Sequence, residues 1–171
     1  MSKLNRKLAL LVMISCVFAQ QLLAQGEFAG AKPRALIGKT YNNDKNLPGL
    51  QGYEYREVTL ASEESDPEQF SVGVFQKGTT WLVFYSVNTQ PNSDKYTILD
   101  VLIIKNVNPS QQVRTLLCRK DKKSDMEIVA LTKADNAAAT PAIKAWRFNR
   151  KLRKFETAAV GGIDCLNEEQ L

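Results

Sequence analysis

Nine residues constrain the fold of this chain more than any other stretch: Thr97-Ile98-Leu99-Asp100-Val101-Leu102-Ile103-Ile104-Lys105. They are apolar at odd and at even positions alike. A strand with one wet face alternates instead, so this one reads as covered on both sides. Trp81 to Val87 repeats the pattern, with Trp81, Val83, Tyr85 and Val87 on one face and Leu82 and Phe84 on the other. Strands of this kind belong in the middle of a sheet that carries a second layer, in a sandwich or a barrel.

The neighbouring segments supply further strands. Tyr55 to Leu60, Phe70 to Phe75, Val113 to Cys118 and Met126 to Thr132 carry short strand patterns. Between them lie an acidic turn at Ser62 to Glu68, Lys77-Gly78-Thr79, a polar loop from Asn88 to Lys95, the Asn108-Pro109 turn and a charged turn from Arg119 to Ser124. The Thr97 strand is therefore expected as the middle of a meander, with Trp81 to Val87 before it and Val113 to Cys118 after it. Asp135 to Thr140 is Ala-rich and too short for a confident helix. The last third allows two readings. Thr140-Pro141 and Gly161-Gly162 would cap a helix, but at 100 degrees per residue Ile143 and Trp146 fall on one side and Phe148, Leu152 and Phe155 nearly opposite. A hairpin puts Trp146 and Phe148 on one face, Asn149 to Arg153 in the turn and Phe155 on the return, and it is the preferred reading of Pro141 to Ala159. The expected fold is all-β or mainly β: an antiparallel meander forming a sandwich or partly closed barrel of about seven strands, with an irregular N-terminal arm.

The first residues have the make-up of an address label. Lys3, Arg6 and Lys7 precede an apolar run of about 12 residues, Leu8 to Ala19, which has the length of a signal-peptide core and is too short for a membrane span. Small residues allow cleavage after Ala19 or Ala24, the latter preferred. A second reading takes Met13-Ile14-Ser15-Cys16 as a lipid attachment box, although Val17-Phe18 stand where a polar tether is expected. The expected organisation is a signal peptide over 1–24, an irregular arm over 25–52 and one β domain over 53–171. Within the arm, Ala35 to Thr40 is a candidate short strand. Asn42, Asp44 and Asn46 alternate like the start of a calcium loop, but Leu47 and Tyr53 occupy the positions that need Gly and Glu, so the segment reads as an Asx-rich turn.

Export changes the charge argument. The chain has a formal charge of +5 from 23 basic and 18 acidic residues, and the signal holds three of the basic and none of the acidic ones, leaving about +2. Bulk basicity then says nothing about nucleic acid or membranes, and only local clusters matter. No other apolar run reaches spanning length, so a soluble periplasmic or extracellular protein is expected. Cleavage after Ala24 also removes Cys16, and an oxidising compartment favours a disulfide between Cys118 and Cys165 over two buried thiols.

The chain has no histidine. Ser/His/Asp and Cys/His catalysis and histidine metal sites are thereby excluded, and two cysteines without histidine do not form a zinc site. No phosphate loop, dinucleotide fingerprint or nucleophile elbow is present. No cofactor and no metal are expected. Lysine bases and carboxylate pairs keep an enzyme open without supporting one.

The runs Glu127-Ile128-Val129-Ala130, Lys144-Ala145-Trp146-Arg147, Phe155-Glu156 and Asp164-Cys165-Leu166-Asn167 resemble those of short exported proteins of Gram-negative bacteria whose role is unassigned. The resemblance covers Tyr96 to Asn167. It implies export and no particular activity, so no catalytic residue is carried over.

Two groups of residues are candidate sites. Asp100 is a charge inside an apolar strand; it pairs with a base such as Arg114, faces water at a sheet edge, or serves a pocket as an acid or ligand group. The structural readings are preferred, and they predict that Asp100→Asn destabilises the fold. The second group is Lys144, Trp146, Arg147, Arg150, Lys151, Arg153 and Lys154, in which six cations precede the first acid, Glu156, and Phe148 and Phe155 lie among them. Cations among aromatics grip phosphates and stack on sugars or bases. The bland alternative is a solvated hairpin whose charges keep a sheet edge from pairing. The leading expectation is an exported non-catalytic binding protein for an anionic envelope component or acidic partner, such as lipopolysaccharide, an anionic glycan or an acidic protein. The competing one is an enzyme inhibitor or enzyme with a pocket near Asp100.

Overall fold

A computed structural model describes residues 33–42, 47, 49–61, 68–88, 90 and 94–167. The signal-like segment with Cys16, the core of the Asx-rich turn (43–46), most of the acidic turn (62–67) and the tip of the polar loop (89 and 91–93) lie outside the described residues.

The described chain is a mainly β fold of two antiparallel sheets, one of them curled as a half-barrel. The first sheet contains β1 (Thr40–Tyr41), β2 (Glu54–Leu60), β3 (Gln69–Lys77), β4 (Thr80–Asn88) and β5 (Tyr96–Ile104), in the order β1-β5-β4-β3-β2. Its last four strands form the expected meander. The meander ends at β5, however, because the outer neighbour of that strand is the arm's β1, paired through Thr40–Thr97 and Tyr41–Tyr96, and not the Val113 segment. The second sheet contains β6 (Gln111–Arg114), β7 (Cys118–Lys120), β8 (Lys123–Ser124), β9 (Ile128–Lys133), β10 (Ala139–Asn149), β11 (Lys154–Ala158) and β12 (Ile163–Leu166).

Both faces of the first sheet are covered, as its sequence demands. Phe70, Val72 and Val74 of β3 and Val83, Tyr85 and Val87 of β4 point at the second sheet, where they meet Val129, Leu131 and Phe148. Tyr85 stacks on Phe148 with ring centroids 4.0 Å apart and planes 9° from parallel. The opposite face, with Phe75, Leu82, Phe84, Ile98 and Val101, is closed by Leu36, Tyr41, Leu47 and Leu50 of the arm. The arm is irregular in backbone but serves as the missing layer, since it buries the apolar half of strands that would otherwise face water. Phe84 lies so close over Gly73 that a Cβ there would collide with its ring, which explains a glycine inside a core strand.

Three local expectations are corrected. Ala35 and Leu36 belong to a single 3-10 turn, Pro33–Leu36, started by a proline whose φ suits that position; only Thr40–Tyr41 extends as a strand. Val113 to Cys118 is two strands, because the chain leaves β9 at Arg114, kinks through Leu116 with φ 61°, and resumes at Cys118 beside β12. The charged turn is a two-residue hairpin loop in which Asp121 and Lys122 both have positive φ, the twist that adjoining strands require. Such short strands raise the count among the described residues from about seven to twelve.

The last third is the hairpin. β10 pairs β11 through five consecutive residue pairs, Ala145–Ala158 to Asn149–Lys154. Thr140-Pro141, which would have capped a helix, lies inside β10, where residues 139–141 pair with β12. Cys118 and Cys165 are directly opposite on β7 and β12 and form a disulfide. Around it Ile128, Ala130, Ala145 and Ile163 make a small separate core.

Candidate functional site

The basic hairpin of β10 and β11 brings its predicted residues onto one ribbon, but it divides them by chemistry. Arg147 bridges two acids that the sequence places on another strand's approach, donating from Nε to Asp125 Oδ2 at 2.9 Å and from Nη2 to Glu127 Oε2 at 2.6 Å. The Nε of Arg150 lies 2.7 Å from Glu127 Oε1, its Nη2 donates to the Ala61 carbonyl at 3.0 Å, and its guanidinium covers the Phe70 ring at 4.6 Å. Arg153 pairs with Glu68 at 2.8 Å. Planar, delocalised guanidinium groups suit such bidentate and stacked positions better than ammonium groups do. The three arginines therefore fasten the hairpin to the turn before β9 and to the ends of β2 and β3 in the first sheet.

The lysines do otherwise. Lys144 and Lys151 are exposed with no acid in salt-bridge range among the described residues, and Lys154 keeps only a 3.6 Å contact with Glu156. Trp146, half-buried, shares a face with Lys144 and packs its inner side on the inter-sheet core. The turn between the strands, 150–153, is shaped by Asn149, whose Oδ1 accepts the Leu152 N–H at 3.1 Å, and by Arg153 with φ 52°.

Asp100 lies opposite Tyr85, beside a register shift in the pairing of β4 with β5. Such an irregularity re-aims the local side chains. The carboxylate is half-buried and points toward β11: Oδ2 accepts the Phe155 N–H and Oδ1 its own neighbour's, Val101, both at 2.8 Å. Arg114 is engaged elsewhere, with Asn167. Asp100 thus supplies a backbone-like acceptor where β11 runs past β5, joining the two sheets. Asp100→Asn keeps one acceptor oxygen but loses the charge assistance, and is expected to lower the unfolding free energy by about 1 kcal/mol, read from a urea midpoint.

The groups that sequence reasoning missed are acidic or neutral partners from distant segments: Glu68, Asp125, Glu127 and Tyr85. Burial pushes the Tyr85 hydroxyl up from 10.0 to about 12, against the pull of the nearby Arg150. An unfolded chain ionises this group from about pH 10, while the folded chain holds the proton to about pH 12, so stability falls across that interval. The displacement corresponds to about 2–3 kcal/mol. Alkaline unfolding of wild type and Tyr85→Phe should show it as a steeper loss in the wild type between those two pH values. On the disulfide ribbon, paired hydrogen bonds from Arg119, at 2.7 and 3.0 Å, hold the Asp164 carboxyl below the usual carboxylate range, with Lys122 adding to the effect.

Among the described residues no group of three or more Cys, Asp or Glu side chains is arranged to hold a metal ion, and no helix is long and apolar enough to cross a membrane. The chain matches no protein-family model, and searches of curated proteins and of solved structures give no match either.

Proposed function

We propose that this protein is an exported, non-catalytic binding protein that recognises an anionic component of the cell envelope through the exposed lysines of the β10–β11 hairpin. The observation that supports this reading is the division of labour on the hairpin: Arg147, Arg150 and Arg153 pair with acids from distant segments, while Lys144 and Lys151 are exposed with no acid in salt-bridge range among the described residues and Lys154 meets its own strand's Glu156 at 3.6 Å. A braced ribbon needs no backbone ordering when a ligand binds, so only the lysine side chains lose freedom. The signal-like N-terminus and the disulfide support the export part of the reading. Asp100 argues against the competing pocket, because both of its oxygens already accept backbone N–H groups.

A heparin column tests the proposal with a polyanion of known charge. Wild-type protein should be retained at low salt, and Lys144→Ala/Lys151→Ala/Lys154→Ala should elute earlier, because exposed charge interactions are screened by salt in proportion to the cations engaged. An unchanged elution position in the triple variant would remove the hairpin lysines from the account.

A further inference from the structure

Leu152 is the most exposed large apolar side chain among the described residues, at 57%. It stands at the tip of the most cation-rich segment of the chain, next to the exposed Lys151 and two residues from Lys154. It is not a loose residue awaiting burial. Its N–H is bound to Asn149 Oδ1, the following Arg153 takes a left-handed conformation, and Asn149 is itself tied to Glu156 by a 2.9 Å hydrogen bond. On either side Arg150 and Arg153 are anchored to Glu127, the Ala61 carbonyl and Glu68. The turn thus holds one exposed leucine next to Lys151 and two residues from Lys154, on a support braced on both sides.

From this arrangement we infer that the tip of the β10–β11 hairpin docks on a membrane surface rich in anionic headgroups, with Leu152 entering the boundary between headgroups and acyl chains and Lys151 and Lys154 contacting phosphates. The inference rests on the anion-binding reading above and names its partner. Charge complementarity alone would suit a soluble polyanion equally well, but such a partner gains nothing from a projecting leucine. A lipid surface offers both halves of the match, since long lysine stems lie along the apolar boundary while their heads stay at headgroup level. Two lysines and one leucine make a reversible contact, of the kind that depends on lipid charge and on salt.

Co-sedimentation with vesicles tests the inference, using phosphatidylglycerol mixed with phosphatidylcholine in one set and phosphatidylcholine alone in the other, at low ionic strength. Wild-type protein should pellet with the anionic set only. Leu152→Ser should weaken partitioning about tenfold, from the apolar burial it loses, and Lys151→Ala/Lys154→Ala by about fivefold per lysine. All three side chains are exposed, so melting temperatures should stay at the wild-type value. Leu152→Ser pelleting as well as wild type would overturn the docking mode. Retention on heparin without any vesicle binding would also overturn it, leaving a soluble polyanion as the partner, whereas loss of heparin retention in the wild type would remove the reading on which it rests.

Discussion

Replacing both Cys118 and Cys165 by serine should lower the unfolding free energy by about 4 kcal/mol, the cost in the chain-entropy model of releasing a closed loop in the unfolded state. The loop spans 47 residues and takes in β8, β9, β10 and β11. The effect should be large for a second reason. Both sulfurs lie in the middle of a core made only of Ile128, Ala130, Ala145, Ile163 and a few partly buried alanines, where a serine hydroxyl would find an apolar environment. Urea unfolding of oxidised wild type and of the double variant, fitted to two states, measures the difference. A loss below about 1 kcal/mol would mean that the Arg119–Asp164 pair and strand pairing hold the β7–β8–β12 ribbon by themselves.

The second large effect is expected at Glu127. Glu127→Gln removes the charge shared by Arg147 and Arg150, including the 2.7 Å contact to the Arg150 guanidinium that covers Phe70. With side-chain exposures of 15% for Glu127 and 30% for Arg150, the pair is partly screened, so the loss should be about 2–3 kcal/mol, below the value for a fully buried pair. Glu68→Gln is the built-in contrast. It breaks the Arg153 pair, whose partners are 35% and 47% exposed, and should cost less than about 1 kcal/mol. Equal losses at the two sites would contradict the assignment of Arg150 as the inner fastening and Arg153 as the outer one.

The parts of this fold that were legible in the sequence are those in which one strand's pattern decides the matter. The two-sided apolar runs of β4 and β5 announce a covered sheet, and the parity of Trp146, Phe148 and Phe155 selects a hairpin over a helix. What covers the outer face of the first sheet was not legible, because the arm residues Leu36, Tyr41, Leu47 and Leu50 have no periodicity of their own. The break at Leu116 was hidden for a related reason: Val113 to Cys118 reads as continuous, and only the competing partners β9 and β12 divide it. The candidate site was legible in composition but not in charge. Six cations before the first acid look like an unopposed patch, yet their acids come from Glu68, Asp125 and Glu127, which lie 85, 22 and 23 or fewer positions from the arginines they meet. The one signal in hand was residue type, since the three arginines are the residues that pair with distant acids, while Lys144 and Lys151 have no acid in salt-bridge range among the described residues and Lys154 pairs with Glu156 of its own strand.

That division of the hairpin is the central claim, and the salt concentration at which an arginine variant leaves a heparin column tests it most directly. Arg147→Ala/Arg153→Ala removes as much formal charge as the loss of two lysines. Its elution should nevertheless stay close to the wild-type position, well after that of the charge-matched Lys144→Ala/Lys151→Ala, while its melting temperature falls. An arginine variant that elutes as early as the lysine variant, with its melting temperature unchanged, would contradict the account.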